Sequence, residues 1–269
     1  MIFSDRSLSQ KLERTEARAN ASFVEIRARL EPATGAEWIE VAGAYAMFDG
    51  IESPCTQTFG LGLFDAVSDT DMERLETFYK ERGASVFHEV SPLADPSLMP
   101  RLNSRGYQPI ELTSVMYREL NDEFGVPPSG GLRTRIIDDE EAELWAATSA
   151  AGWATEMEGL ADFMLGFGRI SARCQGTFPF LGELDGKPAA TGMLFVYDEV
   201  CVLAGASTIP EGRNRGAQNR LLADRLRFAA KHGCKLAMMG AHPGSQSQKN
   251  AQKNGFNIAY TRTKWQLKY

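Results

Sequence analysis

The stretch Thr208-Ile209-Pro210-Glu211-Gly212-Arg213-Asn214-Arg215-Gly216-Ala217-Gln218-Asn219-Arg220-Leu221-Leu222 joins two different periodicities. Upstream of it, residues 200–209 form an apolar run of strand length. Downstream, Leu222, Leu226, Ala229 and Ala230 recur at helical spacing until Gly233, which is placed to end a helix in the left-handed conformation. A strand that becomes a helix through residues 213–218 leaves several N–H groups at the helix start without intrahelical partners, at the positive end of the helix dipole. With Arg213, Arg215 and Arg220 close by, the loop makes an anion site suited to a diphosphate. Gly216 matters because a side chain there holds an anion away from the backbone.

Working outward, residues 235–241 read as a short strand, Pro243-Gly244 as a break, residues 245–254 as a helix, and the chain after Gly255-Phe256 as two final strands. Before the loop, residues 177–184 and 189–197 read as a strand pair around the turn Asp185-Gly186-Lys187. The N-terminal half repeats the later order: a strand over 58–64, a helix over 72–82 ended by Gly83, a strand over 85–90, a helix over 97–105, Gly106-Tyr107, and closing strands over 110–120. Gly83 and Gly233 are 150 residues apart, and Gly106 and Gly255 are 149 apart. Matching offsets together with matching element order imply an internal duplication. A charged helix over 8–30 and a strand near 38–48 precede the first copy, which looks abbreviated. The Pro and Gly pairs of residues 122–131 mark a linker, so the expected division is 1–121, linker 122–131, and 132–269.

The pattern Thr208-x-Pro210-x-x-Arg213-x-x-Gly216-x-Gln218, followed by Leu221-Leu222, resembles the cofactor motif of the GNAT acetyltransferases, and Gly255-Phe256 stands where that family places a Gly-Phe pair. The resemblance covers residues 132–269, half the chain. It implies an α+β fold (mixed α/β) of two tandem GNAT-like domains, each a mostly antiparallel mixed sheet flanked by helices. It also implies acetyl-CoA as cosubstrate. Ala206 and Thr208 are then expected to carry the pantetheine arm on their backbone, and Arg213, Arg215, Gly216, Ala217 and Gln218 to hold the pyrophosphate. Gln218 departs from the motif, which has a small residue there. Many family members have a Tyr five residues before the Phe, to protonate the leaving thiolate; here that position is Ala251. A subset resembling ribosomal-protein N-terminal acetyltransferases has Ser nine residues before it, and this is Ser247. Ser247 is therefore the candidate proton donor and Asn250, on the same predicted helical face, a candidate partner of the pantetheine amides.

Composition narrows the alternatives. With a formal net charge of -6 the chain lacks the basic excess of a general nucleic-acid binder. Its 43% hydrophobic and 24% charged residues are those of a folded soluble protein, and no apolar run reaches membrane-span length. A cytoplasmic location with no membrane partner is the expectation. Cys55, Cys174, Cys201 and Cys234 are too scattered for a zinc site and are expected as reduced, mostly buried thiols; His88, His232 and His242 form no ligand pattern either. No metal is expected. Neither G-x-x-x-x-G-K-[ST] nor G-x-G-x-x-G occurs around Gly212 and Gly216, so nucleotide hydrolysis and hydride transfer have no motif.

The expected reaction is transfer of an acetyl group to a primary amine of a small molecule or peptide. A neutral amine is needed, and Glu183, Glu199 and Tyr197 are the candidates for the base that provides it. In place of the arginine loop, the first copy has Asp65-Ala66-Val67-Ser68-Asp69-Thr70-Asp71, whose carboxylates repel a pyrophosphate and are suited to capping the next helix. A silent first copy can shape the acceptor cleft or a homodimer face. The alternative function is a non-catalytic acyl-CoA sensor or scaffold, to which the missing Tyr at position 251 gives weight.

Overall fold

The computed structural model describes residues 2–120, 131–155 and 158–268. Its elements run α1 (Arg6–Leu30), β1 (Glu37–Val41), β2 (Ala44–Phe48), β3 (Gln57–Phe59), α2 (Asp69–Lys80), β4 (Val86–Val90), α3 (Leu98–Ser104) and β5 (Gln108–Glu119). They continue with β6 (Leu132–Ile136), α4 (Ala142–Trp153), α5 (Leu160–Ser171), β7 (Thr177–Leu184), β8 (Lys187–Tyr197), β9 (Val200–Thr208), α6 (Ala217–Lys231), β10 (Leu236–Ala241), α7 (Gln246–Lys253) and β11 (Asn257–Leu267). Nearly all of the expected linker lies outside the described residues.

Two compact units result, one of residues 1–118 with 238–269 and the other of residues 119–237. The first carries the strand order β1-β2-β3-β4-β11-β5-β10, and the second β9-β8-β7-β6. Pairing is mostly antiparallel, with β3 and β4 parallel. Helices flank both sheets, as an α+β architecture requires.

In the first unit, α2 starts at a capping box. Ser68 accepts from the Asp71 N–H while the Asp71 carboxylate accepts from the Ser68 N–H, so the cap is Ser68 and the helix begins at Asp69, three residues earlier than expected. Met72, Leu75 and Tyr79 pack inward with Val86, Leu98, Leu102 and Tyr107, and Trp265 of β11 fills the same core. Removing a buried Trp side chain of this kind costs about 3–5 kcal/mol.

The predicted repeat is present as structure. The starts of α2 and α6, β4 and β10, α3 and α7, and β5 and β11 are separated by 148 to 150 residues. Two expectations need correction. The closing strands of each copy are single long strands, β5 and β11, because each continues through a bulge without turning back. The strand expected over 58–64 stops at Phe59, since Gly60 and Gly62 adopt φ of 81° and 73° and bend the chain away from the sheet.

In the second unit the β7–β8 hairpin turns at Asp185 and Gly186, both with positive φ, as a two-residue hairpin loop demands. Trp145 of α4 is 2% exposed and packs with Leu181 and Met193, its indole N–H donating to the Phe180 carbonyl at 3.0 Å.

Candidate functional site

Beyond Thr208 the chain makes one tight turn over Pro210–Gly212 and then climbs to α6 through Asn214 and Gly216, with φ of 61° and 79°. Gly216 is the N-cap of α6 and brings no side chain to satisfy the first turn. The early N–H groups, including those of Ala217 and Gln218, are therefore left for a ligand at the positive end of the helix. A Cβ built on Gly216 meets nothing within 4 Å, so the space above the loop is open. Both features fit a diphosphate.

The three arginines are placed less simply than their sequence positions suggest. Arg213 folds back, its guanidinium donating to the Thr208 carbonyl at 3.3 Å, the Gly152 carbonyl at 3.0 Å and the Thr155 hydroxyl at 2.9 Å. It ties the end of α4 to the end of β9. Arg220 is held by Asp224, which also takes Thr134 and Arg227. Among the described residues Arg215 makes a 3.8 Å contact with Asp185 and is half exposed, so its side chain is able to reach an anion at the loop.

The Gln218 side chain, larger than the small residue of the motif, points in toward the strand. Its amide N donates to the Ser207 carbonyl at 2.6 Å, the Thr208 hydroxyl at 2.9 Å and the Thr191 carbonyl at 3.3 Å. The reason is the strand beneath it. Pairs Thr191↔Ser207 and Met193↔Ala204 bracket a bulge in which Gly205 and Ala206 oppose Gly192. Gly205 sits at φ 59°, which opens the ladder there. On the other side of the bulge Arg225, also from α6 and 3% exposed, donates to the Met193 carbonyl at 2.9 Å and the Ala204 carbonyl at 3.3 Å. Burial lowers its pKa to about 10, leaving it a cation at neutral pH. A Cβ at position 192 would lie 2.7 Å from the Arg225 guanidinium carbon, so Gly192 leaves that side chain its present place. Ala206 itself is exposed and Thr208 half-buried.

Ser247 and Asn250 lie on α7, in the first unit, and both are exposed. The cap of α7 is Ser245, whose hydroxyl accepts from the Gln248 N–H at 3.2 Å, so Ser247 has no capping task. Asn250 accepts from the Gln246 amide at 2.7 Å. Ala251, at the position of the family's Tyr, is 2% exposed.

The corresponding loop of the first copy is filled by its own contacts. Arg6 donates to the Leu63 carbonyl at 2.9 Å and the Gly62 carbonyl at 3.2 Å, and Gln10 to Leu63 at 2.7 Å.

Comparison with solved structures identifies the architecture. A GCN5-related N-acetyltransferase from Kribbella flavida superposes with a TM-score of 0.65 at 17% identity, covering 93% of this chain and 94% of that one. A tandem GNAT protein from the clavulanic acid biosynthesis pathway gives 0.59 at 13% identity, covering 84% of this chain and 78% of that one. The chain has the tandem GNAT fold. A third tandem-length neighbour, a GCN5-related N-acetyltransferase from Sphaerobacter thermophilus, gives 0.51 at 14% identity, covering 78% and 71% of the two chains. No family model matches the sequence, and no curated protein is significantly similar to it.

Within this tandem GNAT fold the candidate bases Glu183 and Glu199 are both ion-paired. Glu183 on β7 is taken by Arg135 at 2.9 Å, and Glu199 sits in the β8–β9 turn paired with Lys235. That turn, which Tyr197 adjoins, is at the far end of β9 from Thr208, about 26 Å away for eight strand steps. Arg225 was missed because an arginine in a helix reads as surface. The signals were its spacing from Leu221 and Ala229, four residues either way, and a glycine inside the apolar strand at 192. Among the described residues no cluster of three His, Cys, Asp or Glu is placed to hold a metal, and no helix is long and apolar enough to cross a membrane. All four cysteines are buried thiols outside any disulfide.

Proposed function

We propose that the chain is an acetyl-CoA-dependent N-acetyltransferase acting on a primary amine of a small molecule or peptide. The observation that carries this is the open cradle of N–H groups at Gly216, Ala217 and Gln218, directly after a bulged strand, in a chain with the GNAT fold. In this reading Arg215 supplies side-chain charge to the pyrophosphate and Arg213 supplies backbone and rigidity. Ala206 and Thr208 offer strand-edge groups to the pantetheine. The second copy, residues 132–269, carries the site and the first copy is silent.

Acetyl-CoA supplies an acyl group on a sulfur leaving group. The amine lone pair forms the new C–N bond as the C–S bond breaks; the nitrogen gives up one proton and the sulfur takes one. An alkyl ammonium has a pKa of about 10 and no lone pair, so deprotonation precedes attack. Ser247 as donor to the sulfur, and Asn250 as a pantetheine contact, are carried over from the family resemblance.

The test is calorimetric titration with acetyl-CoA, followed by thiol release measured with a chromogenic trap across a panel of primary amines. Saturable binding with amine-dependent thiol release is the expected result. Binding without release for any amine favours the acyl-CoA sensor, a reading to which Ala251 in place of Tyr lends weight. Absence of binding overturns both.

A further inference from the structure

Gln218 and Arg225 are seven residues apart on α6, which is two helical turns and places them on one face. Each puts a single nitrogen between two carbonyls across the β8–β9 seam: Gln218 between Thr191 and Ser207, Arg225 between Met193 and Ala204. These are the two residue pairs that flank the bulge. In an unbroken strand, carbonyls facing one neighbour recur every second residue. Ala204 and Ser207 are three apart and are both held from α6, so the two side chains clamp the irregularity at both ends.

A trans peptide points its C=O and its N–H in opposite directions. Fixing the Ala204 carbonyl toward β8 therefore fixes the Gly205 N–H toward the other edge of β9, and fixing the Ser207 carbonyl does the same for the Thr208 N–H. Hydrogen bonding to a carbonyl also polarises the N–H of the same peptide, most strongly when the donor is charged. Arg225 is such a donor, buried, with a carbonyl pair rather than a carboxylate on its NH1.

The geometry points to Gln218 and Arg225 as paired positioning residues that hold the β9 bulge so that the Gly205 N–H donates to the acyl carbonyl of the thioester. This rests on the acetyltransferase reading. It accounts for a Gln at 218, where the family motif has a small residue, and for Gly192, which leaves room for the guanidinium. Trp145 closes the bulge on its α4 side, its ring 3.6 Å from a Cβ placed on Gly205, so the bulge is supported from both faces of the sheet.

The test uses the full chain with acetyl-CoA carrying a 13C label at the acyl carbonyl, and compares wild type with Arg225→Met, Arg225→Lys and Gln218→Met. Infrared difference spectroscopy reads the polarisation of the bound carbonyl, and titration with CoA lacking the acetyl group reads affinity for the rest of the cofactor. Wild type is expected to shift the carbonyl band to lower frequency. Arg225→Met and Gln218→Met are expected to return it toward the free value and to lower kcat at least about ten-fold, with CoA affinity within about two-fold, while Arg225→Lys keeps most of the shift. Should Arg225→Met fail to fold, Gln218→Met and Arg225→Lys carry the same reading. A band unmoved in the folded variants, or CoA affinity lost in step with kcat, overturns the pair alone. Failure of wild type to bind acetyl-CoA overturns the acetyltransferase reading beneath it.

Discussion

Thr113 faces Arg262 across the β5–β11 ladder, and the two residues are 149 positions apart, the spacing of the sequence repeat. Every other pair in that ladder is exchanged by the same offset: Asn257↔Tyr117 becomes Gln266↔Gln108, and Ile258↔Met116 becomes Trp265↔Pro109. Even the irregularities obey it, since the ladder steps over Ala259 on one strand and Ile110 on the other. A local two-fold axis therefore passes between Thr113 and Arg262, and the duplication is written into the register of two strands. The side chains on the axis have diverged. Arg262, 3% exposed, meets Glu16 at 2.6 Å, Glu89 at 2.9 Å and Glu13 at 3.3 Å.

That cluster predicts a pH dependence. Glu13 is buried, and desolvation raises its pKa to about 7 against the pull of Arg262, with Glu16 and Glu89 adding repulsion and the Tyr260 hydroxyl opposing it. Because the folded value lies above the unfolded 4.5, the folded state holds the proton more tightly. Stability is greatest below the unfolded value and falls as pH rises through the folded one. Glu13→Gln keeps the shape and an acceptor for Tyr260 without titrating. Its stability relative to wild type, measured by denaturant unfolding, is expected to rise from about pH 4.5 to about pH 7 and then level off. A flat difference across that window rules out the assignment.

Gly216→Asp is expected to abolish acetyl-CoA binding, whereas Gly186→Asp leaves it intact. The two glycines are matched controls: their φ angles are 79° and 77°, and a Cβ at either meets nothing within 4 Å. Backbone strain, about 1–2 kcal/mol in each case, therefore cancels, and only the charge at the anion cradle differs. Equal affinities in calorimetry would show that the cradle has another purpose.

Binding stoichiometry separates the two copies. The loop after β3 spends its carbonyls on Arg6 and Gln10 and carries Asp65 and Asp69, so one acetyl-CoA per chain is expected. Two equivalent sites in a titration would contradict a silent first copy.

Ser247 and Ser245 can be told apart. Ser245→Ala removes the α7 cap and is expected to cost about 1 kcal/mol of stability. Ser247→Ala is expected to leave the unfolding midpoint unchanged and lower kcat about ten- to a thousand-fold, the range for losing a general acid, with acetyl-CoA affinity preserved. A good thiol leaving group, with a pKa near 8.5, favours the lower part of that range. Normal turnover at saturation with weakened affinity makes Ser247 a contact instead.

Much of the fold was legible because local chemistry marks local structure. Gly83 and Gly233 end α2 and α6 in left-handed turns, and Asp185-Gly186 turns the β7–β8 hairpin, each at its expected position. Strand partnership was not legible. Alternation tells which side of a strand is buried and is silent about its neighbours, so nothing in residues 257–267 announces β4 and β5 as partners. Charge counts misled in the same way. Arg213 and Arg220 both read as available cations, and each is committed to carbonyls or to Asp224 that the fold brings near.

The insertion of β11 between β4 and β5 sets an order of events during synthesis. Residues 86–119 leave the ribosome with a gap in their sheet, and the strand that closes it, with the Trp265 that fills the neighbouring core, is made well over a hundred residues later. Ribosomes add about 5–20 residues per second, so two unsatisfied strand edges wait for several seconds at least. The facing edges of β4 and β5 thus wait for a partner made much later, and a ribosome stalled between residue 119 and β11 strands a sticky, half-built sheet rather than a finished first module.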